Sequence, residues 1–305
     1  MRDQAEKLRQ TIQNKNNSQI KNNDESTGIK QGLLQNKTCK VITITSGKGG
    51  VGKTNFTVNF AIGLAQAGLK VVILDADFGL ANIDVVMGST ASSNLLDVIE
   101  GRKNILEIMC EGPENIKFIS GGSGIEQLIN LNEDQIDSLV HNMAMLDDVA
   151  DVILVDTGAG LSESVMRFVL AADEVILVTT PEPTSITDAY ALIKLVAKRE
   201  RDKKISIVVN RAENRSEASD IAYRISFVAE KFLGMKINAL GYILYDEAVV
   251  KSVKMQQPYM IAFPAGKASV NMKEICNKMI VNKQARNGIL KETGVIAFLK
   301  KIMRK

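Results

Sequence analysis

The chain has 305 residues, is 45% hydrophobic and carries a net charge of +3, enough apolar content for one or two packed domains. It contains no eighteen-residue apolar run for a membrane-crossing helix, and its start, MRDQAEKLRQ, is too polar for a secretory signal. Cys39, Cys110 and Cys276 lie far apart and His141 is the only histidine. That excludes a disulfide framework, a paired-cysteine metal–sulfur site and any chemistry built on histidine, and it fits free thiols in a reducing cytosol.

Residues 3–9, DQAEKLR, read as a short helical island. Asp3 can cap it and Glu6 completes a box-like pattern, with Ala5 and Leu8 on one face and Gln4 and Arg9 beside them. Residues 10–39 are rich in Asn, Gln, Lys and Ser and predict a flexible linker.

The folded domain is expected over 40–281. Apolar β-rich runs at 40–46, 70–76, 116–120, 151–157, 174–180, 205–211 and 239–245 alternate with helical patterns at 53–67, 133–147, 162–171, 184–200 and 215–233. Several of the runs are unbroken Val/Ile/Leu, as strands read when helices cover both faces of a parallel sheet. The predicted class is α/β, a mainly parallel twisted sheet flanked by helices.

After the first strand comes SGKGGVGKTN. Gly47, Gly52, Lys53 and Thr54 satisfy the phosphate-loop pattern G-x-x-x-x-G-K-[ST] between a strand and a helix. Gly47, Gly49, Gly50, Val51, Gly52, Lys53, Thr54 and Asn55 would cradle the phosphates with backbone N–H groups and a helix N-terminus. Lys53 would neutralise phosphate charge, and the Thr54 hydroxyl would ligate Mg²⁺. Asp75 and Asp77 follow the second strand, and Asp156 ends another. Carboxylates gathered at strand ends can hold Mg²⁺ or orient an attacking water. Lys48 stands at the wrong end of the loop to duplicate Lys53.

The C-terminal segment 282–305 ends in ETGVIAFLKKIMRK. At about 100° per residue, Val295, Ile296, Phe298, Leu299, Ile302 and Met303 share an arc of about 160° on a helix over 292–305. Lys300, Lys301, Arg304 and Lys305 lie opposite. Such a helix can lie on an anionic membrane or dock on its own domain; its cations and terminal position favour the membrane. Residues 278–305 hold eight Lys/Arg against one Asp/Glu, so an anionic surface is the expected partner of this end.

GKGGVGKT resembles the deviant phosphate loop of the MinD/ParA ATPases, whose mark is the lysine at Lys48. DADFGLANIDVVMG, DTGAG and TTPEPTSITDAYALIK narrow the resemblance to the MinD-like branch and, within it, to the flagellar regulators FlhG, also called YlxH or FleN. It covers roughly residues 40–280. The resemblance implies a P-loop fold, ATP and Mg²⁺ as cofactors, and an ATP-bound homodimer in which Lys48 reaches the partner's nucleotide. It makes Asp77 the water-positioning residue, Asp75 an indirect Mg²⁺ contact and Asp156 the second switch carboxylate. Asn210 and Arg211 match the family's adenine contacts. Tyr245 and Asp246 stand where the family often has a proline–aspartate turn. Asp3, Gln4, Leu8 and Arg9 match the family motif that binds and stimulates the GTPase FlhF. The resemblance further implies slow, partner-stimulated hydrolysis, a cytoplasmic protein peripheral to the inner face of the cell membrane in its ATP state, and contacts with flagellar C-ring components. A partition ATPase binding DNA through its basic end is the alternative; the clean apolar face at 295–303 argues against it, since phosphate contacts need no such face.

Overall fold

The computed structural model describes residues 39–77, 82–122, 131–284 and 294–303. The island at 3–9, with Asp3, Gln4, Leu8 and Arg9, lies outside the described residues, as does nearly all of the linker.

All seven expected strands form: β1 Lys40–Thr45, β2 Val71–Ala76, β4 Lys117–Ser120, β5 Val152–Thr157, β6 Glu174–Thr179, β7 Ile205–Ala212 and β8 Ile237–Leu244. A two-residue strand, β3 Cys110–Glu111, joins them at one edge, too short to leave a pattern in sequence. The order is β3-β4-β2-β5-β1-β6-β7-β8, and every pair is parallel except β3 with β4. Every residue of β2, β5 and β6 is buried. Unbroken apolar runs therefore meet helices on both faces, as the pattern predicts.

The helices are α1 Lys53–Gln66, α2 Asn82–Met87, α3 Leu95–Ile99, α4 Glu133–Val149, α5 Glu163–Ala171, α6 Pro183–Arg199, α7 Arg215–Leu233, α8 Glu247–Lys254, α9 Tyr259–Ala262, α10 Lys267–Gln284 and α11 Val295–Met303. On one face, Phe56 and Phe60 of α1 and Met272, Ile275 and Cys276 of α10 cover Ile42, Ile44 and Leu154. Gly63 lets these two helices approach, because a Cβ there would lie 2.5 Å from Cys276 Sγ. The opposite face carries α4 and α5 at its centre and α6 and α7 toward β7. Side chains of Asn94, Asn132, Ser162, Asn214 and Asp246 cap α3, α4, α5, α7 and α8. The start of α1 has no side-chain cap.

Cys39, expected in the linker, is buried, and its N–H donates to Asp147 Oδ1 at 3.2 Å. Helix α10 runs past the expected 281 to Gln284.

The C-terminal helix forms and takes the second of the two placements its stripe allows, docked on its own domain. Val295, Phe298, Leu299 and Ile302 are buried in the cluster that contains Leu139, Met143 and Phe168 of α4 and α5. The Phe298 ring lies 6.2 Å from that of Phe168. Arg167 Nη1 donates to the carbonyl of Ile302 at 3.2 Å, and the Val295 N–H donates to Asp147 Oδ1 at 3.4 Å. Ile296 and Met303 are half-buried, while Lys300 and Lys301 face out. One apolar stripe suits a lipid surface or a protein groove equally, and here it closes the groove between α4 and α5.

Candidate functional site

The carboxyl ends of β1, β2, β5 and β7 converge on the loop between β1 and α1. Gly52 sits at φ +87°, a left-handed conformation that glycine adopts without a Cβ clash. It leads directly into α1, whose first N–H groups have no side-chain partner. An uncapped helix start with a glycine-rich approach suits a bound anion. Gly47 is pressed against α6: a Cβ there would lie 2.4 Å from the Asp188 carbonyl.

Asp156 is the hub of the site. Its Oδ2 accepts from Thr54 Oγ1 at 2.7 Å, and its Oδ1 accepts from Thr57 Oγ1 at 2.8 Å and Lys53 Nζ at 3.2 Å. Asp156 is fully buried and the Lys53 side chain 7% exposed, so the two charges compensate each other, and two hydroxyls further satisfy the Asp156 carboxylate. Thr57 is absent from the sequence reading, though it lies one helical turn after Lys53 and Thr54 and so on their face of α1.

Asp75 is buried beside Asp156 and Asp77. Burial, reinforced by those two negative charges, pushes its carboxyl up to about 7, although it accepts N–H bonds from Asp77 and Ile83. Those two bonds fix the start of the segment from β2 into α2. Asp77 is half-buried and held by Asn82 Nδ2 at 3.3 Å. Burial raises its pKa; Lys53 opposes the rise and Asp156 adds to it. Gly158 approaches Asp77 closely, since a Cβ there would lie 3.0 Å from Asp77 Oδ1. The expected metal residues Thr54, Asp75 and Asp156 thus face one region from three elements. Their donors are hydroxyl and carboxylate oxygens, the set that Mg²⁺ takes. Among the described residues no three His, Cys, Asp or Glu side chains form a metal cage.

Lys48 does not turn into this site. Its Nζ donates to Glu182 Oε2 and to Thr184 Oγ1, each at 2.8 Å, at the start of α6. The side chain is 39% exposed. Glu182 and Thr184 carry no assigned role in the sequence reading: they stand over 130 residues from Lys48, and no local pattern links them.

Beside the loop opens a cavity of about 500 Å³ lined by Gly52, Asn55, Asn210, Arg211, Tyr245 and Val250, among others. Its far wall is the apolar face of α8, where Val249 and Val253 join Val250. Asn210 and Arg211 are among its lining residues. Tyr245 and Asp246 line it too, and the Asp246 carboxylate is engaged, accepting from Ala248 N at 2.9 Å and Ala268 N at 3.2 Å. A flat apolar wall with an amide at its rim, next to a phosphate cradle, suits a nucleobase. The C-terminal residues expected at a membrane belong to the separate groove between α4 and α5 and contribute nothing here.

The ParA family, described as NUBPL iron-transfer P-loop NTPase, matches residues 37–280. The chain is 42% identical over 240 residues to the antiactivator FleN of Pseudomonas aeruginosa, covering 79% of this chain and 86% of that one. It is 32% identical over 293 residues to the flagellum site-determining protein YlxH of Helicobacter pylori, covering 94% and 99%. Among solved structures it is similar to the septum site-determining protein MinD complexed with Mg-ADP from Pyrococcus horikoshii. There the TM-score is 0.63 and the identity 25%, over 81% of this chain and 98% of that one. The MinC:MinD complex of Aquifex aeolicus gives a TM-score of 0.63 at 26% identity, over 84% and 100%.

Proposed function

The chain belongs to the ParA/MinD family of P-loop NTPases, and from that premise we propose that it is an ATP-dependent dimerising switch that governs flagellar number or placement. In this reading Mg-ATP binds at the loop, with Lys53 and the free N–H groups of α1 on the phosphates and Thr54 on the ion. Asp156 and, indirectly, Asp75 hold the ion's surroundings. Mg²⁺ would neutralise phosphate charge when bound. Asp77 then orients the attacking water. The names of the two flagellar relatives support the cellular role.

The observation that carries the switch reading is the position of Lys48. A lysine of the phosphate loop that pairs with Glu182 at the surface, not with its own site, is free to serve a second copy's nucleotide. Dimerisation would exchange Glu182 for a partner's phosphate, and partner-stimulated, otherwise slow hydrolysis would undo it. An iron-carrying role draws no support from the cysteines, which include no pair in the whole sequence and of which Cys39 and Cys276 are buried.

Membrane residence would rest on α11. Burying each of its large apolar side chains gains about 1.5–3 kcal/mol gross, whether in the groove or in lipid. Two surfaces of similar worth make a helix that a modest change in the domain can transfer. Released helices from two subunits would bind together far more tightly than one, placing the ATP state on the inner face of the cell membrane. Flotation with anionic liposomes tests this. Binding that requires both ATP and residues 292–305, shown with a chain ending at Lys291, is the expected result. Failure to float in either nucleotide, with salt-sensitive DNA binding instead, would favour the partition alternative.

The partners proposed are an FlhF-like GTPase, met by Asp3, Gln4, Leu8 and Arg9, and flagellar C-ring components. A peptide of residues 1–20 is expected to accelerate GTP hydrolysis by such a GTPase, and Gln4→Ala to abolish the effect. An inert wild-type peptide would remove that partner.

A further inference from the structure

Asn210 lies at the rim of the base cavity, yet both ends of its amide are engaged within the protein. Nδ2 donates to the carbonyl of Val51 at 2.8 Å, and Oδ1 accepts the N–H of Arg211 at 3.0 Å. Turning the amide over would set oxygen against the Val51 carbonyl and NH₂ against the Arg211 N–H, so the two bonds together fix its orientation. One N–H and one lone pair remain for a ligand.

The backbone on both sides is unusual where the two meet. Arg211 holds φ +59°, a left-handed conformation uncommon outside glycine. Gly52 holds φ +87°, and a Cβ at Gly52 would lie 2.6 Å from Asn210 Nδ2. The absence of a side chain at Gly52 therefore admits the amide to the loop as well as permitting the turn. In a trans peptide the N–H points away from the preceding C=O. Drawing the Val51 carbonyl toward Asn210 therefore turns the Gly52 N–H away from it, to the other side of the loop. Among the described residues, no other side chain hydrogen-bonds to the Val51–Gly52 peptide.

Given the nucleotide-site reading, on which this rests, we infer that Asn210 is a positioning residue for the phosphate loop as well as a neighbour of the base. One side chain at the end of β7 holds the Val51–Gly52 peptide in its phosphate-ready orientation and couples occupation of the base cavity to the shape of the cradle. A residue that only touched the base would not affect a ligand without a base.

The test uses such a ligand. Affinities of the full-length protein for magnesium tripolyphosphate and for ADP are measured by calorimetry, for wild type, Asn210→Asp and Asn210→Ala, with a thermal melt of each. Asn210→Asp keeps the shape and the acceptor for Arg211 but sets a carboxylate oxygen against the Val51 carbonyl. Both variants are expected to bind tripolyphosphate about tenfold more weakly, the effect of one lost internal hydrogen bond. Weakened ADP binding with unchanged tripolyphosphate binding would overturn the inference and leave Asn210 a base contact alone. Wild type that binds neither ligand would remove the nucleotide-site reading itself. The wild type supplies a check that needs no variant: saturating tripolyphosphate is expected to tighten adenosine binding, because coupling through a shared side chain is reciprocal. Adenosine affinity indifferent to tripolyphosphate would also overturn the inference.

Discussion

A carboxyl group taken out of water releases its proton late, and Asp75 is such a group. Its ordinary value of 3.8 is pushed up to about 7 by burial, with Asp156 and Asp77 adding to the effect. The sign of the consequence follows from proton counting. Between about pH 4 and 7 the folded, nucleotide-free protein keeps a proton that the unfolded chain has lost. The associated stability is fully present below about pH 4, declines as pH rises through that window, and is absent above 7. Asp75→Asn has no such proton. The stability of wild type relative to Asp75→Asn is therefore expected to fall by on the order of a few kcal/mol from pH 4 to 7, at about 1.4 kcal/mol per pKa unit, and then to level off. Urea unfolding of both proteins at a series of pH values measures it. A difference that stays constant across the window would mean that Asp75 is ionised throughout. At the same scale, the cradle residues were readable because the phosphate loop is contiguous. Thr57 was hidden only by its position one turn further on, whereas Glu182 became visible only when β6 lay beside β1.

For whole elements, α11 makes the clearest case of what a sequence can and cannot show. Its stripe and its charges were legible from nine consecutive residues, but its receptor was not. The groove is assembled from Leu139, Met143 and Phe168 on two helices far apart in the chain, and each of those reads simply as core. The same holds for α8 and α10: one lines the cavity beside the phosphate loop and the other covers β1 and β8, and neither was anticipated. The strands were legible because a parallel sheet buried on both faces writes itself as unbroken apolar runs; Cys110–Glu111 is too short to write anything. A docked helix that is also a membrane anchor should be sensitive to its receptor side. Arg167, on α5, donates to the Ile302 carbonyl and contributes nothing to the helix's own apolar face. Losing that bond costs docking about 1 kcal/mol, which would raise the undocked fraction about fivefold. Arg167→Ala is expected to float with anionic liposomes in ADP several times more than wild type does, with its ATP-state binding unchanged. If ADP-state flotation stays at the wild-type level, docking does not compete with the membrane.

At the scale of the whole molecule, charge is segregated. Residues 41–277 hold 22 Lys/Arg against 30 Asp/Glu, between two basic ends. Two copies of such a body repel one another in general, so a face-to-face dimer needs compensation where the bodies meet. A nucleotide's phosphates add more negative charge there, and Lys48 is the cation at hand. In the single chain it is paired with Glu182, whose own pKa the lysine lowers through its hydrogen bond and its charge. This pair lies at the surface, where an exchange of partners is inexpensive. Two outcomes then separate the role of Lys48 from that of Lys53. Because its ammonium is on Glu182 and not in its own cradle, Lys48→Ala is expected to bind ADP as wild type does. Lys53→Ala, which removes the cation from the phosphates and leaves Asp156 with hydroxyls alone, is expected to lose ADP binding. Dimerisation is read in the Asp77→Ala background, where hydrolysis is expected to fall about a hundredfold or more for want of a positioned water, so that ATP persists. Sedimentation velocity with ATP should show Asp77→Ala as a dimer and Lys48→Ala/Asp77→Ala as a monomer that still holds nucleotide. A double variant that sediments as a dimer would leave Lys48 a surface lysine paired with Glu182, and the basis for an ATP-controlled dimer would have to be sought elsewhere in the chain.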